Sequence, residues 1–267
     1  MPKFHLINSA LGGMGKSLLS QVMIHLHDDL ALSYAAFDAD VELLNVQERY
    51  PETTSALKIS ESEFRNTDAV YRSMEAGRHI IINLAASSTV ALEQWFQRDR
   101  LFLVSRKLAA RKDGFRYQFV NWFLSDGTPG SISKFQESVA TYGDQMFHVF
   151  VQNWAKRAPD DWSRTFQDNR LRTLLEQDYI TTAEFPCFLK PYGWDEMRLT
   201  FAQAISPNGL EGEALPLLDR QRVASFVRGT QQNLQLTGLI DCPDIRVASD
   251  QAVSLSRQAI NYLLNHE

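Results

Sequence analysis

The densest grouping of chemically useful residues is Ala10-Leu11-Gly12-Gly13-Met14-Gly15-Lys16-Ser17. Closely spaced glycines let a backbone turn tightly and aim its N–H groups inward. A lysine and a hydroxyl directly after them add a mobile ammonium and a metal-binding oxygen. This is the end of the phosphate-loop pattern G-x-x-x-x-G-K-[ST], in which main-chain amides cradle a polyphosphate. Gly12, Gly13, Met14, Gly15, Lys16, Ser17 and Leu18 are therefore the expected nucleotide-binding residues. Lys16 would reach the β- and γ-phosphates, and the Ser17 hydroxyl would hold Mg²⁺. The first glycine of the pattern is replaced by Ala10.

Such a loop works only between a strand and a helix, and the flanking residues supply both. Phe4–Asn8 is a short apolar run of the kind found in buried parallel strands. From Ser17 to Leu26, apolar residues at 18, 19, 22, 23 and 26 follow helical spacing. That helix would aim its positive dipole end at the phosphates.

Beyond the loop, Leu32–Phe37 predicts a second strand ending at Asp38-Ala39-Asp40, and His79–Leu84 a third, with the β-branched core Ile80-Ile81-Ile82 before Asn83. Further helices are expected over 68–76, 88–98, 101–111, 131–142, 218–236 and 250–265. Further strands are expected over 115–124 and 146–152, with a short one within 180–189. Residues 42–66 are polar and irregular, as in a mobile segment near a site. Alternating strands and helices predict an α/β fold: a three-layer sandwich with a mostly parallel sheet, of P-loop NTPase type. One domain over 1–267 is expected, with a helical C-terminal cap at about 200–267.

The chain has 267 residues, 44% hydrophobic and 22% charged, with a net charge of −5. That is the balance of a soluble globular protein, not of one that coats nucleic acid with its whole surface. Cys187 and Cys242 show no close spacing, so neither a zinc cluster nor a redox pair is expected, and the reading is a reducing cytosol. No segment predicts a membrane span, and the N-terminus is too short for a signal peptide. His5, His25, His27, His79, His148 and His266 show no ligand spacing, and two residues apart on a helix His25 and His27 diverge, so a histidine metal site is not expected. No Ser-His-Asp arrangement is visible.

Gly12-Gly13-Met14-Gly15-Lys16-Ser17 resembles the deviant phosphate loop K-G-G-x-G-K-[ST] of the ParA/MinD family of ATPases. The lysine that this family places before the paired glycines, and that reaches the phosphates of a partner in a nucleotide-sandwich dimer, is here Leu11. Asp38-Ala39-Asp40 matches the family's Asp-x-Asp. The resemblance implies that Asp40 orients the attacking water and that Asp38 lies near the Mg²⁺ shell. The strand that ends in Asp in the family ends here in Asn83, an uncharged metal-side residue. Leu84-Ala85-Ala86-Ser87-Ser88 then matches the γ-phosphate switch, and bound triphosphate would order Asp38–Asn45 and Ala85–Thr89. The candidate catalytic residues are Lys16 and Asp40, and the candidate metal-side residues Ser17, Asp38 and Asn83.

Asn83-Leu84-Ala85-Ala86-Ser87-Ser88-Thr89, Phe150-Val151-Gln152-Asn153-Trp154 and Met197-Arg198-Leu199-Thr200-Phe201, with Asp219-Arg220-Gln221-Arg222 downstream, resemble the plasmid TraL/StbB/MobD-like branch. That likeness implies a base contact from Asn153. It also implies an ATP- and Mg²⁺-dependent switch in plasmid conjugation, partition or positioning, a cytoplasmic location, a homodimer, and plasmid-encoded transfer or partition partners. It further implies slow ATP hydrolysis and a non-specific DNA contact through the basic stretch Arg98–Arg116, for which a solvated helix face is the plainer account. Ala10, Leu11 and Asn83 are losses against the ATPase pattern and leave open a non-hydrolysing adaptor that docks a DNA-processing partner. A small-molecule kinase would share the loop, but no acceptor-binding residues are identifiable. Trp154 and Trp162, beside Lys156-Arg157, suit core packing or ring stacking.

Overall fold

The structure, a computed structural model, describes residues 1–40, 42–59, 64–86, 88–112, 114–210 and 213–240. The predicted helix over 250–265, with Cys242 and His266, lies outside these residues, as do Val41 and Ser87 of the two segments expected to order on nucleotide.

The strands are β1 (Lys3–Ser9), β2 (Tyr34–Asp38), β3 (Thr54–Ala56), β4 (Lys58–Ile59), β5 (Phe64–Arg65), β6 (His79–Asn83), β7 (Gln118–Ser125), β8 (Phe147–Asn153) and β9 (Ile180–Phe185). The helices are α1 (Lys16–Asp29), α2 (Asn45–Arg49), α3 (Thr67–Glu75), α4 (Thr89–Arg98), α5 (Leu101–Ala109), α6 (Pro129–Tyr142), α7 (Pro159–Thr165), α8 (Asn169–Leu175), α9 (Trp194–Met197), α10 (Phe201–Ile205) and α11 (Leu217–Leu236). Seven strands form one sheet in the order β3-β2-β6-β1-β7-β8-β9, and every pairing is parallel. β4 and β5 make a separate antiparallel pair.

A parallel sheet needs both faces covered, and the strands alternate accordingly. In β1, Phe4 and Leu6 join the core beneath α3, α4 and α5, while Ile7 joins the core beneath α1 and α11. In β6, Ile80 and Ile82 pack to the first side and Ile81 to the second. The near-continuous apolar runs follow from this double coverage. Phe123, Phe135, Phe150 and Trp162 build a third cluster with α6, α7 and α8, so Trp162 is a core residue. The result is the α/β three-layer sandwich. Phe201 and Val223, Phe226 and Val227 of α10 and α11 pack in the same core as Val22 and Met23 of α1.

The segment 42–66 departs from the irregular stretch expected. It holds α2, the edge strand β3 and the β4–β5 pair. These pieces are too short for their apolar spacing to register, and they form because neighbours receive them: β3 against β2, and Val46 of α2 in the core beside α1. Among the described residues, no helix is long and apolar enough to cross a membrane.

The chain leaves β1 for β2 on one side and later returns to place β7 on the other. The C-terminal edge of β1 is thus the point where the strand order reverses, and crevices open there in doubly wound sheets. The phosphate-loop residues lie at that edge.

The core also carries a pH dependence. His148 in β8 is buried, with Nε2 3.2 Å from the Gly143 carbonyl and Nδ1 3.4 Å from Asn121 Nδ2. An N–H toward Gly143 and a lone pair toward Asn121 satisfy the neutral ring. Burial, opposed by the Gly143 carbonyl, holds its pKa down to about 4. An unfolded chain takes up this proton near pH 6.5, well before the folded one does, so stability falls as pH drops from about 6.5 to about 4. The loss is about 1.4 kcal/mol per pH unit, or roughly 3 kcal/mol over the window. Urea unfolding of His148→Gln at pH 7 and pH 5 should show a shallower acid loss than the parent; equal slopes would exclude His148 as its source.

Candidate functional site

The loop between β1 and α1 has its shape fixed at two glycines. Gly13 (φ 67°) and Gly15 (φ 89°) are in the left-handed region, and Gly15 is the N-terminal cap of α1. Left-handed backbone at both points turns the chain around a hollow and delivers it into the helix. Neighbours brace the turn from outside. Asn153 Nδ2 donates to the Met14 carbonyl at 2.7 Å, and Ser9 Oγ donates to the Leu11 carbonyl at 2.7 Å. Both bonds occupy carbonyls, which leaves the amide edge of the loop available to an anion.

Lys16 is only 5% exposed, and its ammonium donates to Ser9 Oγ at 3.3 Å. Burial lowers its pKa, and the Asp40 carboxylate, the nearby counter-charge, opposes that shift. A desolvated ammonium at the mouth of a helix is a strong anion receptor, because little water must be removed when the anion arrives.

Asp38 sits fully buried at the end of β2. Its Oδ1 accepts from Asn83 Nδ2 (2.8 Å) and the Asp40 amide (3.2 Å), and its Oδ2 accepts from the Val46 (2.9 Å) and Gln47 (3.2 Å) amides. Burial raises the Asp38 pKa, and the four donors pull against that. Each donor points a hydrogen at a lone pair, which fits an ionised carboxylate. Asn83 continues the chain of contacts. Its Nδ2 lies 3.4 Å from Ser17 Oγ, and its Oδ1 accepts from Ser20 Oγ at 3.3 Å. Ser17, Asn83 and Asp38 are therefore linked side chain to side chain. Asp40 is half-buried and turned to the cleft that the loop lines.

That cleft has a volume of about 590 Å³. Its floor is Gly12 to Leu18. One wall carries Asn153, Lys156, Phe185 and Pro186, and the other carries Glu48, Arg49, Trp194 and Arg198. The structure thus brings Gly12, Gly13, Met14, Gly15, Lys16, Ser17, Leu18, Asp40 and Asn153 to one cleft. Asp38 and Asn83 stand behind Ser17 and outside the lining. Asn153 spends both ends of its amide locally, Nδ2 on Met14 and Oδ1 on the Ala155 amide (2.9 Å). Leu11 is 57% exposed on the lip. Trp154 is half-buried against the β8–α6 core.

The second wall was not legible in the sequence. Arg49 of α2 is buried, donates to the Leu199 (2.6 Å) and Trp194 (3.1 Å) carbonyls, and lies 4.6 Å above the Trp194 ring. These partners are about 150 positions along the chain, and no local spacing announces them. In the basic stretch, Arg98 pairs with Asp99 (2.6 Å) and Arg111 with Glu75 (3.1 Å), contacts that belong to a solvated face.

No known protein family and no curated protein matches this chain. Among solved structures, a nucleotide-binding protein from Archaeoglobus fulgidus, in complex with ADP and with cobalt, is similar at a TM-score of 0.41 and 13% identity. The match covers 73% of this chain and 86% of that one.

The two kinds of glycine in the loop separate experimentally. A Cβ on Gly15 would be strained at φ 89° and would meet Phe185 Cε1 at 3.1 Å, whereas a Cβ on Gly12 meets nothing within 4 Å. Gly15→Ala should lower stability by about 1–2 kcal/mol, and Gly12→Ala should stay within about 0.5 kcal/mol of the parent. Urea midpoints measure both, and equal losses would contradict the loop geometry.

Proposed function

We propose that this protein binds ATP at the Gly12–Ser17 loop and acts as a ParA/MinD-like, nucleotide-dependent switch in plasmid conjugation, partition or positioning. The observation that carries the nucleotide reading is the buried Lys16 ammonium at the start of α1, inside a turn whose carbonyls are bonded away from the hollow. The plasmid setting, a cytoplasmic location, plasmid-encoded partners and a homodimer rest on the resemblance of the motifs alone. So does a DNA contact through Arg98–Arg116.

The donor set around Ser17 suits a hard cation. The Ser17 hydroxyl would hold the ion, and Asn83, hydrogen-bonded to both Ser17 and Asp38, links it to the Asp38 carboxylate. Mg²⁺ bound there would neutralise phosphate charge. Ser17 is its direct protein ligand in this reading, and Asn83 and Asp38 act through water. Asp40, in the cleft beside Lys16, is the residue to orient an attacking water. Phosphate contact at this end would be felt along α2, because Asp38 holds the first amides of α2 and Arg49 holds α2 to the Trp194–Leu199 segment. A connection of this kind, running from the loop to a distant segment, is what a nucleotide switch would act through.

A second reading is favoured by two observations. Leu11 offers no cation to the phosphates, and the Asp38 carboxylate is saturated by protein donors. Both suit a non-hydrolysing adaptor that docks a DNA-processing partner.

Calorimetry with ATP and Mg²⁺ should show binding that Lys16→Ala abolishes; unchanged affinity in that variant would reject the site. Phosphate release by purified protein in the presence of DNA then separates the two readings. Slow, sustained release that disappears in Asp40→Ala supports the switch, and its absence with tight ATP binding supports the adaptor.

A further inference from the structure

Chain spacing gives no reason to group the histidines, but the fold does. His5 of β1, His27 in the last turn of α1 and His79 at the start of β6 meet at the end of the sheet opposite the phosphate loop. All three are buried, and one ring nitrogen from each lies within 4.8 Å of the other two. The ring centroids form a triangle with sides of 5.5 Å (His5–His27), 5.2 Å (His27–His79) and 6.3 Å (His5–His79).

Three imidazoles are an expensive way to fill an apolar space, because each carries polar nitrogens out of water. His5 Nε2 is buried with no hydrogen-bond partner among the described residues. His27 Nδ1 lies 2.7 Å from the Met23 carbonyl, which places its proton on Nδ1 and leaves Nε2 as a lone pair. A backbone carbonyl holding the far nitrogen is the usual support of a metal-ligating histidine. Burial first, then His27, His79 and Lys3, drives the His5 pKa well below its ordinary value. The uncharged ring is the form that ligates.

We propose that His5, His27 and His79 form a binding site for a transition-metal ion, with zinc as the expected occupant. Neutral imidazole nitrogens suit zinc, copper or nickel, whereas Mg²⁺ and Ca²⁺ require oxygen donors. This site is accordingly distinct from the one at Ser17. Bonds of roughly 2.0–2.1 Å set tetrahedral nitrogens about 3.4 Å apart, so the rings close inward from the present spacing, and water takes the fourth position. The Lys3 ammonium repels a metal ion as it does a proton, and the three metal–nitrogen bonds must exceed that repulsion. Trp122 Nε1–H donates to His5 Nδ1 at 3.1 Å. Ligation through His5 Nε2 moves the His5 proton to Nδ1, so binding breaks this bond and changes the surroundings of Trp122. The ion would pin the far ends of β1, α1 and β6, whose near ends carry Lys16, Ser17 and Asn83.

The test uses the full chain without an affinity tag, stripped with a chelator and titrated with Co²⁺ in the absence of nucleotide. The expected result is one ion per chain, the intense visible bands of tetrahedral cobalt, displacement by Zn²⁺, and a change in tryptophan emission with the same midpoint. His27→Gln and His79→Gln should weaken binding at least tenfold. Trp122→Phe, which removes the competing donor, should bind at least as tightly as the parent, and this variant stands even where a histidine variant fails to fold. Lys16→Ala should leave the bands unchanged. Absence of tetrahedral bands in the unmodified protein would overturn the proposal. So would their loss in Lys16→Ala, or their full retention in a folded His79→Gln.

Discussion

An ammonium group held away from water demands a counter-charge, and the arrangement around Lys16 follows from that demand. Among the described residues it finds a long hydrogen bond that it donates to Ser9 Oγ, and the field of Asp40. Neither neutralises it fully, so the position favours an incoming anion. The same burial fixes the direction of approach. Lys16 stands at the first position of α1, where the helix dipole and the unbonded amides of the first turn point the same way. Cores on both faces of β1 hold that geometry still, because β1 is the strand flanked by β6 and β7 and cannot shift without disturbing either.

Asp38 shows how one charge can serve structure and site together. Four donors converge on it, two of them the leading amides of α2. A helix of five residues has too few internal bonds to stand alone. It persists because a carboxylate caps one end and Arg49 ties the other to the Trp194–Leu199 segment. Asn83 in place of an acid is consistent with this crowding. A second carboxylate 2.8 Å from Asp38 would face like charge in a dry site, whereas an amide donates to it.

What could be read from the sequence was what local spacing encodes. The loop, its strand and its helix are contiguous, so glycine chemistry and helical periodicity were enough to locate Lys16 and Ser17. Asp38 and Asn83 were recognisable because each ends an apolar strand. The short pieces within 42–66 were not, since Thr54-Ser55-Ala56 is a strand only by virtue of pairing with β2. Arg49 was invisible for the same reason: its partners are backbone carbonyls far along the chain. The histidines make the point most sharply. His25 and His27 do diverge, as helical geometry requires, His25 toward Asp29 and Phe201 and His27 toward the sheet. The companions of His27 arrive from two strands, and spacing along one helix carries no trace of them.

The distribution of polar groups along β1 and α1 completes the picture. At one end of this pair the polar groups are main-chain amides, an ammonium and a hydroxyl, all suited to phosphate oxygen. At the other end they are imidazole nitrogens. Between them, Ile7 on β1 and Leu19, Val22 and Met23 on α1 pack together in one buried core, while Ser20 and Gln21 turn to Asn83 and α2. A packed apolar stretch of this kind transmits displacement because it cannot absorb it. Any closing of His27 toward His5 and His79 would therefore be felt by α1 as a body, and through it at the turn that carries Gly13, Met14 and Gly15.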